Sequence, residues 1–267
     1  KIKNTETTDG EKVSEEEAHN LAEEFMNNRM LNYVGGRDFP ATNNTSFLSP
    51  YLHFGLISAK QIYFKSMMFV GNAGLSHFLS EIGWREFSYH LLYHFKDLPT
   101  KNFKPKFDNF VWNSNQEDLE KWQKGMTGFP LIDAGMRQLW QTGWMHNRVR
   151  MVVASFLTKN LLIDWRIGQK WFWDCLVDAD LAANSASWQW VAGSGADAAP
   201  YFRIFNPITQ SQKFDPKGKY IRKWVPEIAH LSNKEIHLPV NRGEYPEAII
   251  DLKFSRNRAL AVYKNIS

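Results

Sequence analysis

The segment from Trp144 to Gly195 constrains the fold more than any other part of the sequence. It holds six of the 11 tryptophans of the chain. It also carries the clustered arginines Arg148 and Arg150 and the closely spaced aspartates Asp178 and Asp180 in a largely apolar context. Because burying an unpaired charge costs much free energy, these four charges must pair with one another or with a bound polar ligand. The segment therefore predicts either a very large aromatic core or a site for a flat aromatic cofactor.

The overall composition favours one large domain without a membrane span. Of the 267 residues, 43% are hydrophobic and 15% are aromatic, which is ample material for a core. No apolar run approaches the roughly 18 residues that a membrane-spanning helix needs, and the polar, acidic residues 1–17 argue against a secretory signal. Cys175 is the single cysteine, which excludes an internal disulfide and predicts a reducing, cytoplasmic compartment. We also expect a monomer.

The net charge of +4 is by itself a weak indication of nucleic-acid binding. The distribution of the charges is more informative, because residues 201–225 combine many cations with interleaved aromatic rings. The cations are Arg203, Lys213, Lys217, Lys219, Arg222 and Lys223, opposed only by Asp215. Two interpretations stay open here: a solvated loop, or a surface that contacts phosphates.

Apolar residues recur at helical spacing along most of the chain and predict an all-α fold. Residues 1–13 are expected to be disordered and residues 14–267 to form one helical domain. A capping box of Ser14 and Glu17 opens the first helix. The predicted helical segments are 14–30, 59–95 with a break near Gly71–Gly74, 114–124, 130–141, 147–162, 169 to about 191, and 255–267.

A loop rich in turn-forming residues, 35–50, contains a cluster of hydroxyl groups. Thr45, Ser46 and Ser49 lie just ahead of Pro50, together with several free backbone donors. Such a cluster can hold phosphates without a lysine. An ordinary helix start capped by Ser or Thr explains the same spacing equally well.

The segment EIGWREFSYH places several polar side chains on one predicted helix. Glu81 and Arg85 are four residues apart and can pair on one face. His90 and His94 have the spacing of a zinc-binding pair, but no third ligand lies near them in the sequence, so surface histidines are the better interpretation.

The run from Gly193 to Ala198 matches the G-x-G-x-x-A fingerprint of dinucleotide-binding proteins. That fingerprint requires a preceding strand and a following helix, whereas here a tryptophan-rich helix precedes it and Pro200 follows. A Rossmann site is therefore not expected. The sequence also lacks a nucleophile elbow, a Walker loop and a Cys/His metal spacing.

Five segments together are specific enough to indicate a family. They read RDFPATNNTSFLSPYL, EIGWREF, TGWMHNRVRM, DWRIGQKWFWDCLVDADLAANSASWQW and DAAPYFRIFNP. The chain resembles the FAD-binding domain of the photolyase/cryptochrome family, and within it the cyclobutane pyrimidine dimer photolyases, from about Phe25 to the C-terminus. The resemblance implies an all-helical domain that binds FAD folded into a U. It also implies that the N-terminal α/β domain of the family, with its antenna chromophore, lies outside this chain.

The resemblance implies roles for individual residues around FAD. On the phosphate side the matching residues are Tyr33, Thr45, Ser46, Leu48 and Ser49, with Phe47 at a position that relatives often fill with Arg. Around the flavin and adenine they are Arg85, Trp144, Asn147, Arg150, Asp178, Asp180 and Asn184. Arg150 and Asp178 resemble a buried ion pair beside the ring. Asp180 is expected to accept from flavin N3–H, and Asn184 to face flavin N5, where an amide favours repair over signalling.

The resemblance also implies a lesion cavity and an electron path. The residues that match the cavity for a flipped-out dimer are Glu81, Trp84, Asn147, Met151 and Trp190. Trp84 and Trp190 offer flat faces for stacking, and a protonated, desolvated Glu81 can donate to a thymine carbonyl. Arg148 and Arg203 are expected to hold phosphates. Trp188, Trp165 and Trp112 match the tryptophan chain that carries electrons to oxidised flavin.

The function implied by the resemblance is light-driven repair of cyclobutane pyrimidine dimers in UV-damaged DNA by reduced FAD. The absence of the histidine signature of (6-4) enzymes at Asn147–Met151 disfavours that related reaction. A cryptochrome-like photoreceptor without repair activity is the main alternative. A flavin-free DNA-binding module is a third, and an absorption spectrum separates it from the other two.

Overall fold

Helices account for nearly all of the regular structure in the computed structural model, which describes residues 13–198, 202–240 and 242–266. Within these ranges the sole β-type pairing is an isolated bridge between Asn113 and Ile163. The helices are α1 (Glu15–Glu24), α2 (Tyr33–Gly36), α3 (Ser49–His53), α4 (Ala59–Ser66), α5 (Leu75–His94), α6 (Gln116–Lys124), α7 (Pro130–Thr142), α8 (Asn147–Ser155), α9 (Trp165–Cys175), α10 (Leu181–Ala192), α11 (Pro207–Phe214), α12 (Lys219–Trp224) and α13 (Leu252–Lys264). The all-α prediction is confirmed.

The first predicted helix begins where its cap indicates and then loses regular α geometry. The Ser14 hydroxyl accepts from the Glu17 N–H at 3.1 Å. After Glu24 the chain continues as a π-helical turn, Phe25–Arg29, and a 3-10 turn, Met30–Asn32. Residues 1–12, which were expected to be disordered, lie outside the described residues.

The continuous helix predicted from 169 to about 191 is wrong, because the chain breaks between α9 and α10. Asp180 caps α10 by accepting from the Ala183 N–H at 2.8 Å, an arrangement that requires a non-helical backbone at the cap. Asp178 lies within the same break and is buried against Arg150. The break therefore buries Asp178 and leaves Asp180 partly buried at the start of α10.

Two short helices after residue 206 and the start of the last helix also differ from the prediction. Asn206 caps α11 by accepting from the N–H groups of Ile208 and Thr209. The Asp251 side chain accepts from Phe254 N–H, so α13 begins at Leu252 rather than at Ser255. Asn and Asp are strong N-caps, and these two caps were readable from the sequence.

Three apolar clusters form the core. The largest unites buried side chains of α6 to α10 and α12, including Trp122, Trp165 and Trp188. A second joins α1 to α5 around Phe25 and Phe78, and a smaller one packs α13 against residues near 107 and 202. None of the helices in the described parts of the chain combines the length and apolar character needed to cross a bilayer.

Candidate functional site

A cleft of about 230 Å³ opens between the N-terminal helices and α8. Its walls come from α2, the loop ahead of α3, α5, the segment that leads into α8, and the break between α9 and α10. The lining residues are Tyr33, Arg37, Thr45, Ser46, Phe47, Leu48, Ser49, Glu81, Trp144, Met145, Asn147, Arg150 and Asp178. The structure thus brings together all six predicted phosphate-side residues and part of the predicted flavin and lesion sets.

The loop 45–49 is shaped by a strained residue and supported by an arginine. Phe47 has φ of +56°, a left-handed conformation that is a true outlier for a bulky side chain. Its ring packs on Trp144 with centroids 4.9 Å apart. The Arg29 guanidinium lies 5.9 Å from the same ring and donates to the Thr45 carbonyl at 2.7 Å. Sequence reasoning did not identify Arg29, which brings positive charge to the loop where Phe47 stands.

Thr45 also presents a buried hydroxyl that the protein leaves unsatisfied. Thr45 Oγ1 has no hydrogen-bond partner among the described residues, although it is buried and the residue lines the cleft. An unsatisfied buried polar group costs about 1–3 kcal/mol, so a ligand oxygen at this point would relieve the cost. The hydroxyl cluster and the orphan donor therefore fit the phosphate portion of FAD.

The cleft is also lined by the ion pair of Arg150 and Asp178. Arg150 Nη2 lies 2.8 and 3.1 Å from the two carboxylate oxygens of Asp178, and Nε donates to the Met145 carbonyl at 2.7 Å. Burial raises the pKa of Asp178, but the charge and hydrogen bond of Arg150 and a hydrogen bond from Ser49 outweigh it, so the pKa lies below its ordinary value. The site thus keeps a fixed, ionised pair.

Three other residues predicted to surround FAD do not line this cleft: Arg85, Asp180 and Asn184. Asp180 accepts from the Tyr89 hydroxyl and lies 3.8 Å from His53 Nδ1. Asn184 donates to the Gln169 carbonyl at 3.0 Å. Tyr89 and His53 are therefore neighbours of the site that the sequence did not reveal.

Arg85 pairs differently from the prediction. Its guanidinium contacts Glu86 at 2.5 Å and the Leu52 carbonyl at 3.3 Å, whereas Glu81 binds Arg37 at 2.6 Å. The predicted Glu81–Arg85 pair is wrong because Arg37, which follows α2, approaches Glu81 from another element. Glu81 is also 36% exposed at its side chain, so the expectation of a desolvated carboxyl is not met in this structure.

Trp84, Met151 and Arg148, which are also predicted to contact the lesion or DNA, do not line the cleft. Trp84 is 51% exposed, and Met151 Sδ lies 4.0 Å from Asn147 Nδ2. Arg148 is bound to Asp38 through Nε at 3.2 Å and Nη2 at 2.7 Å. A phosphate that approaches Arg148 therefore meets a guanidinium that is already bound to Asp38.

The two tryptophans of α10 face different environments, as helical geometry predicts. Trp188 is buried in the main core, while Trp190 is half-buried and donates from Nε1 to the Asp197 carbonyl at 3.1 Å. Trp190 lines a second cavity together with Arg203.

Of the three tryptophans predicted to conduct electrons, Trp188 and Trp165 are buried and Trp112 is half-buried. Trp188 packs against α9 so closely that a Cβ on Gly168 would lie 2.2 Å from its ring. Trp165 lies at the start of α9, is fully buried and donates to Asn102 at 2.9 Å. Trp112 is half-buried, with its ring 4.5 Å from that of Phe110. Burial separates Trp112 from the other two but does not order Trp188 relative to Trp165, and the electron path stays a prediction.

His146, just before α8, makes the stability of the site depend on pH. Its Nδ1 caps α8 by accepting from the Arg148 N–H at 3.2 Å, and burial lowers its pKa from 6.5 to about 4. Because the unfolded chain binds the proton more readily, the free energy of unfolding falls as the pH drops from 6.5 through about 4. The separation corresponds to roughly 3 kcal/mol.

Between pH 7 and about pH 4, we expect the free energy of unfolding to fall less in His146→Asn than in the wild type. The reason is that Asn also accepts a hydrogen bond at the cap but does not titrate. Urea unfolding followed by circular dichroism at both pH values measures the difference. An equal loss in both proteins would show that His146 does not cause the acid sensitivity.

Comparison with known proteins identifies a family that this chain matches. A family model described as the FAD binding domain of DNA photolyase matches residues 78–265. A protein of Agrobacterium fabrum named deoxyribodipyrimidine photo-lyase is 51% identical over 257 residues, which cover 90% of this chain and 54% of that relative.

Solved structures agree with this match. A bacterial class III photolyase from Agrobacterium tumefaciens superimposes with a TM-score of 0.89 at 49% identity, covering 95% of this chain and 56% of the other. A cryptochrome from Synechocystis gives a TM-score of 0.87 at 33% identity, with coverage of 93% and 56%. The chain spans about half the length of the relatives that it matches.

Proposed function

Because the chain belongs to the family of FAD-binding domains of DNA photolyases, we propose that it repairs cyclobutane pyrimidine dimers in DNA under light. The observation that carries the proposal is the composition of the cleft. The ion pair of Arg150 and Asp178 lines the cleft, the loop 45–49 carries the buried, unsatisfied hydroxyl of Thr45, and Glu81 and Asn147 line the same space. A site for FAD and a site for a polar substrate are thereby adjacent.

The residues of the cleft bind and orient, and none of them acts as a nucleophile. Thr45, Ser46 and Ser49 would hold the phosphates of FAD, while Arg150, Asp178 and Asn147 would hold its ring system. When bound, reduced FAD supplies light-driven one-electron chemistry that opens the two carbon–carbon bonds of the cyclobutane ring without net oxidation. The protein's part is binding, orientation and electrostatics.

Trp84, Trp190 and Glu81 would hold the lesion. Extruding a nucleotide from a duplex costs a few kcal/mol, least for a damaged base, and stacking on an indole offsets part of that cost. Glu81 is bound to Arg37 in the protein alone. In the proposed complex, Arg37 would turn toward DNA and release Glu81 to the lesion.

The proposal includes UV-damaged DNA as the partner, a monomer as the working state and a cytoplasmic location. The single cysteine, Cys175, is buried and free, which supports a reducing compartment. Asp178 and Asp180 keep their roles beside the flavin as part of the same proposal, as does Asn184.

The test is the loss of dimers from irradiated DNA by the 267-residue chain reconstituted with FAD and chemically reduced. We expect dimers to disappear in blue light and to persist in the dark. Persistence of dimers in the light, with FAD demonstrably bound, would refute the proposed repair function.

Trp84→Ala is expected to weaken binding of dimer-containing duplex roughly 5- to 100-fold, because stacking is worth about 1–3 kcal/mol per base. Trp140→Ala is the matched control, since Trp140 is equally exposed at 51% but lies on α7, stacks on Trp171 and does not line the cleft. Fluorescence anisotropy with damaged and undamaged duplexes measures both. Equal affinities of the two variants for the damaged duplex would show that Trp84 does not stack on the lesion.

A cryptochrome-like photoreceptor is the second candidate, favoured by the similarity to the Synechocystis structure. It would bind FAD but neither repair dimers nor respond to Trp84→Ala. Asn184 supports repair instead, because a neutral amide beside flavin N5 adds no negative charge to a reduced anionic ring. A flavin-free DNA-binding module would give a colourless protein after incubation with FAD.

A further inference from the structure

A second cavity of about 230 Å³ is lined in part by Trp190 and shares no lining residue with the first cleft. Four cationic residues line it: Lys104, Lys106, Lys159 and Arg203. Among the described residues, no aspartate or glutamate lines this cavity. Lys106 and Arg203 are exposed and Lys104 is half-buried, whereas Lys159 is buried. Because their like charges converge on one cavity, an anion that enters it is attracted by all four.

Lys159 is the most deeply placed of these cations. The residue is 2% exposed, and its ammonium donates to the Arg203 carbonyl at 2.6 Å. An ammonium has three N–H donors, and no second acceptor from the described residues reaches it. Burial, and then the charge of Arg203, lowers the pKa of Lys159 to about 7. An anion in the cavity would offset both effects.

Aromatic faces hold two of the cations in place of carboxylates. Lys159 Nζ lies 4.3 Å from the ring centroid of Phe202, and Lys106 Nζ lies 5.1 Å from that of Tyr263. The rings of Phe202 and Tyr263 stack at 4.4 Å and 6°. A cation–π contact orients a lysine without neutralising its charge, so the cavity keeps its positive potential.

Hydrogen bonds fix the wall that carries Lys104. The buried Gln189 side chain donates to the Leu98 and Lys101 carbonyls and accepts from Phe103 N–H, all within 2.8 Å. The Lys104 N–H donates to the Ser194 carbonyl at 2.8 Å. The loop before Lys104 is therefore tied to the end of α10, close to Trp190.

The facing wall is anchored as well. Phe205 N–H donates to Ser155 Oγ at 3.2 Å, and Lys159 holds the Arg203 carbonyl. A cavity with cations on two anchored walls is pre-organised for an anion, because little side-chain and loop order is lost on binding.

We propose that this cavity binds one backbone phosphate of the DNA whose lesion stacks on Trp190. The inference rests on the proposed function for the identity of the polyanion, and it adds Lys104, Lys106 and Lys159 to the contact surface. For residues 201–225 the proposal favours a surface that contacts phosphates over a solvated loop, but only at Arg203. Arg203 would contact the phosphate together with lysines from elsewhere in the chain.

The first test is the salt dependence of DNA binding by the full 267-residue chain. The double variant Lys104→Met/Lys106→Met is expected to bind a dimer-containing duplex roughly tenfold more weakly, with the slope of log affinity against log salt reduced by about one. Lys101→Met is the matched control, because Lys101 lies in the same loop but pairs with Asp97 at 2.8 Å. An unchanged slope in the double variant would overturn the proposal.

The second test locates the phosphate. Duplexes that carry one neutral methylphosphonate linkage are compared position by position around the lesion. We expect one linkage whose neutralisation weakens the wild type but has no further effect on the double variant. If no linkage behaves in this way and inorganic phosphate alone binds the cavity, the site takes free phosphate and the DNA proposal is wrong.

Lys159→Met serves as a third variant, with circular dichroism to confirm that it folds. If Lys159 contacts the phosphate, the slope of log affinity against log salt should be reduced in this variant as it is in the double variant. Failure of the proposed function is separable, because it would appear as equal affinity for damaged and undamaged duplex. The salt slopes of wild type and variants on undamaged duplex would still test the cavity in that case.

Discussion

Trp188→Phe is expected to abolish nearly all light-driven reduction of oxidised FAD in the reconstituted chain, while chemically reduced protein keeps its repair activity. The physical reason is that a phenyl ring gives up an electron far less readily than an indole. Trp188 is buried and packs against Gly168, and Gly168 lies one helical turn after Trp165 on α9. The replacement would remove one member of the predicted path, so electron transfer along that path would stop.

The measurement is the absorbance of bound FAD during blue illumination with an external reductant. Trp122→Phe is the control, because Trp122 is also fully buried and its ring lies 6.4 Å from that of Trp188, but it is outside the predicted path. If Trp188→Phe and Trp122→Phe photoreduce equally well, the predicted tryptophan path is wrong.

Arg150→Met is expected to destabilise the FAD-free protein by about 3 kcal/mol and to prevent FAD retention. The Asp178 side chain is only 2% exposed, and removing one partner of a buried pair leaves an uncompensated charge. The contribution of the ion pair to the free energy of unfolding is fully present above the pKa of the carboxyl in the unfolded chain, about 3.9. It is lost as the pH falls through the lower folded value, because the pKa of Asp178 is depressed.

A double variant separates stability from binding. Arg150→Met/Asp178→Leu removes both charges, so we expect most of the stability to return while FAD binding stays lost. Urea unfolding and the flavin absorbance of purified protein give the two readouts. Normal FAD retention in the double variant would show that the ion pair supports the fold alone.

Much of the candidate site was predictable because its residues lie close together in the sequence. Thr45, Ser46 and Ser49 occupy one short loop, and their hydroxyls do line the cleft. The prediction that Arg150 and Asp178 pair is confirmed as well. The resemblance to the photolyase/cryptochrome family implied this pair, whereas the cost of burying charge left a bound polar ligand as an alternative partner.

Partners that come from distant elements were not predictable. Local spacing assigned Glu81 to Arg85, but the structure pairs Glu81 with Arg37. Arg148 was expected to be available for phosphate and is bound to Asp38, 110 residues away in sequence. Helix spacing describes neighbours on one helix and carries no information about which other helix packs against it.

The segment from Trp144 to Gly195 illustrates the division most clearly. The sequence by itself determined that its charges need partners, that Trp188 and Trp190 point to different sides, and that the fold is helical, because composition and periodicity record burial and secondary structure. Only the tertiary structure decided that a break at Asp178 and Asp180 interrupts the predicted helix and that Trp190 borders a cavity lined by Lys104, Lys106 and Lys159. These features depend on packing between elements far apart in the chain, where long-range contacts override local preference.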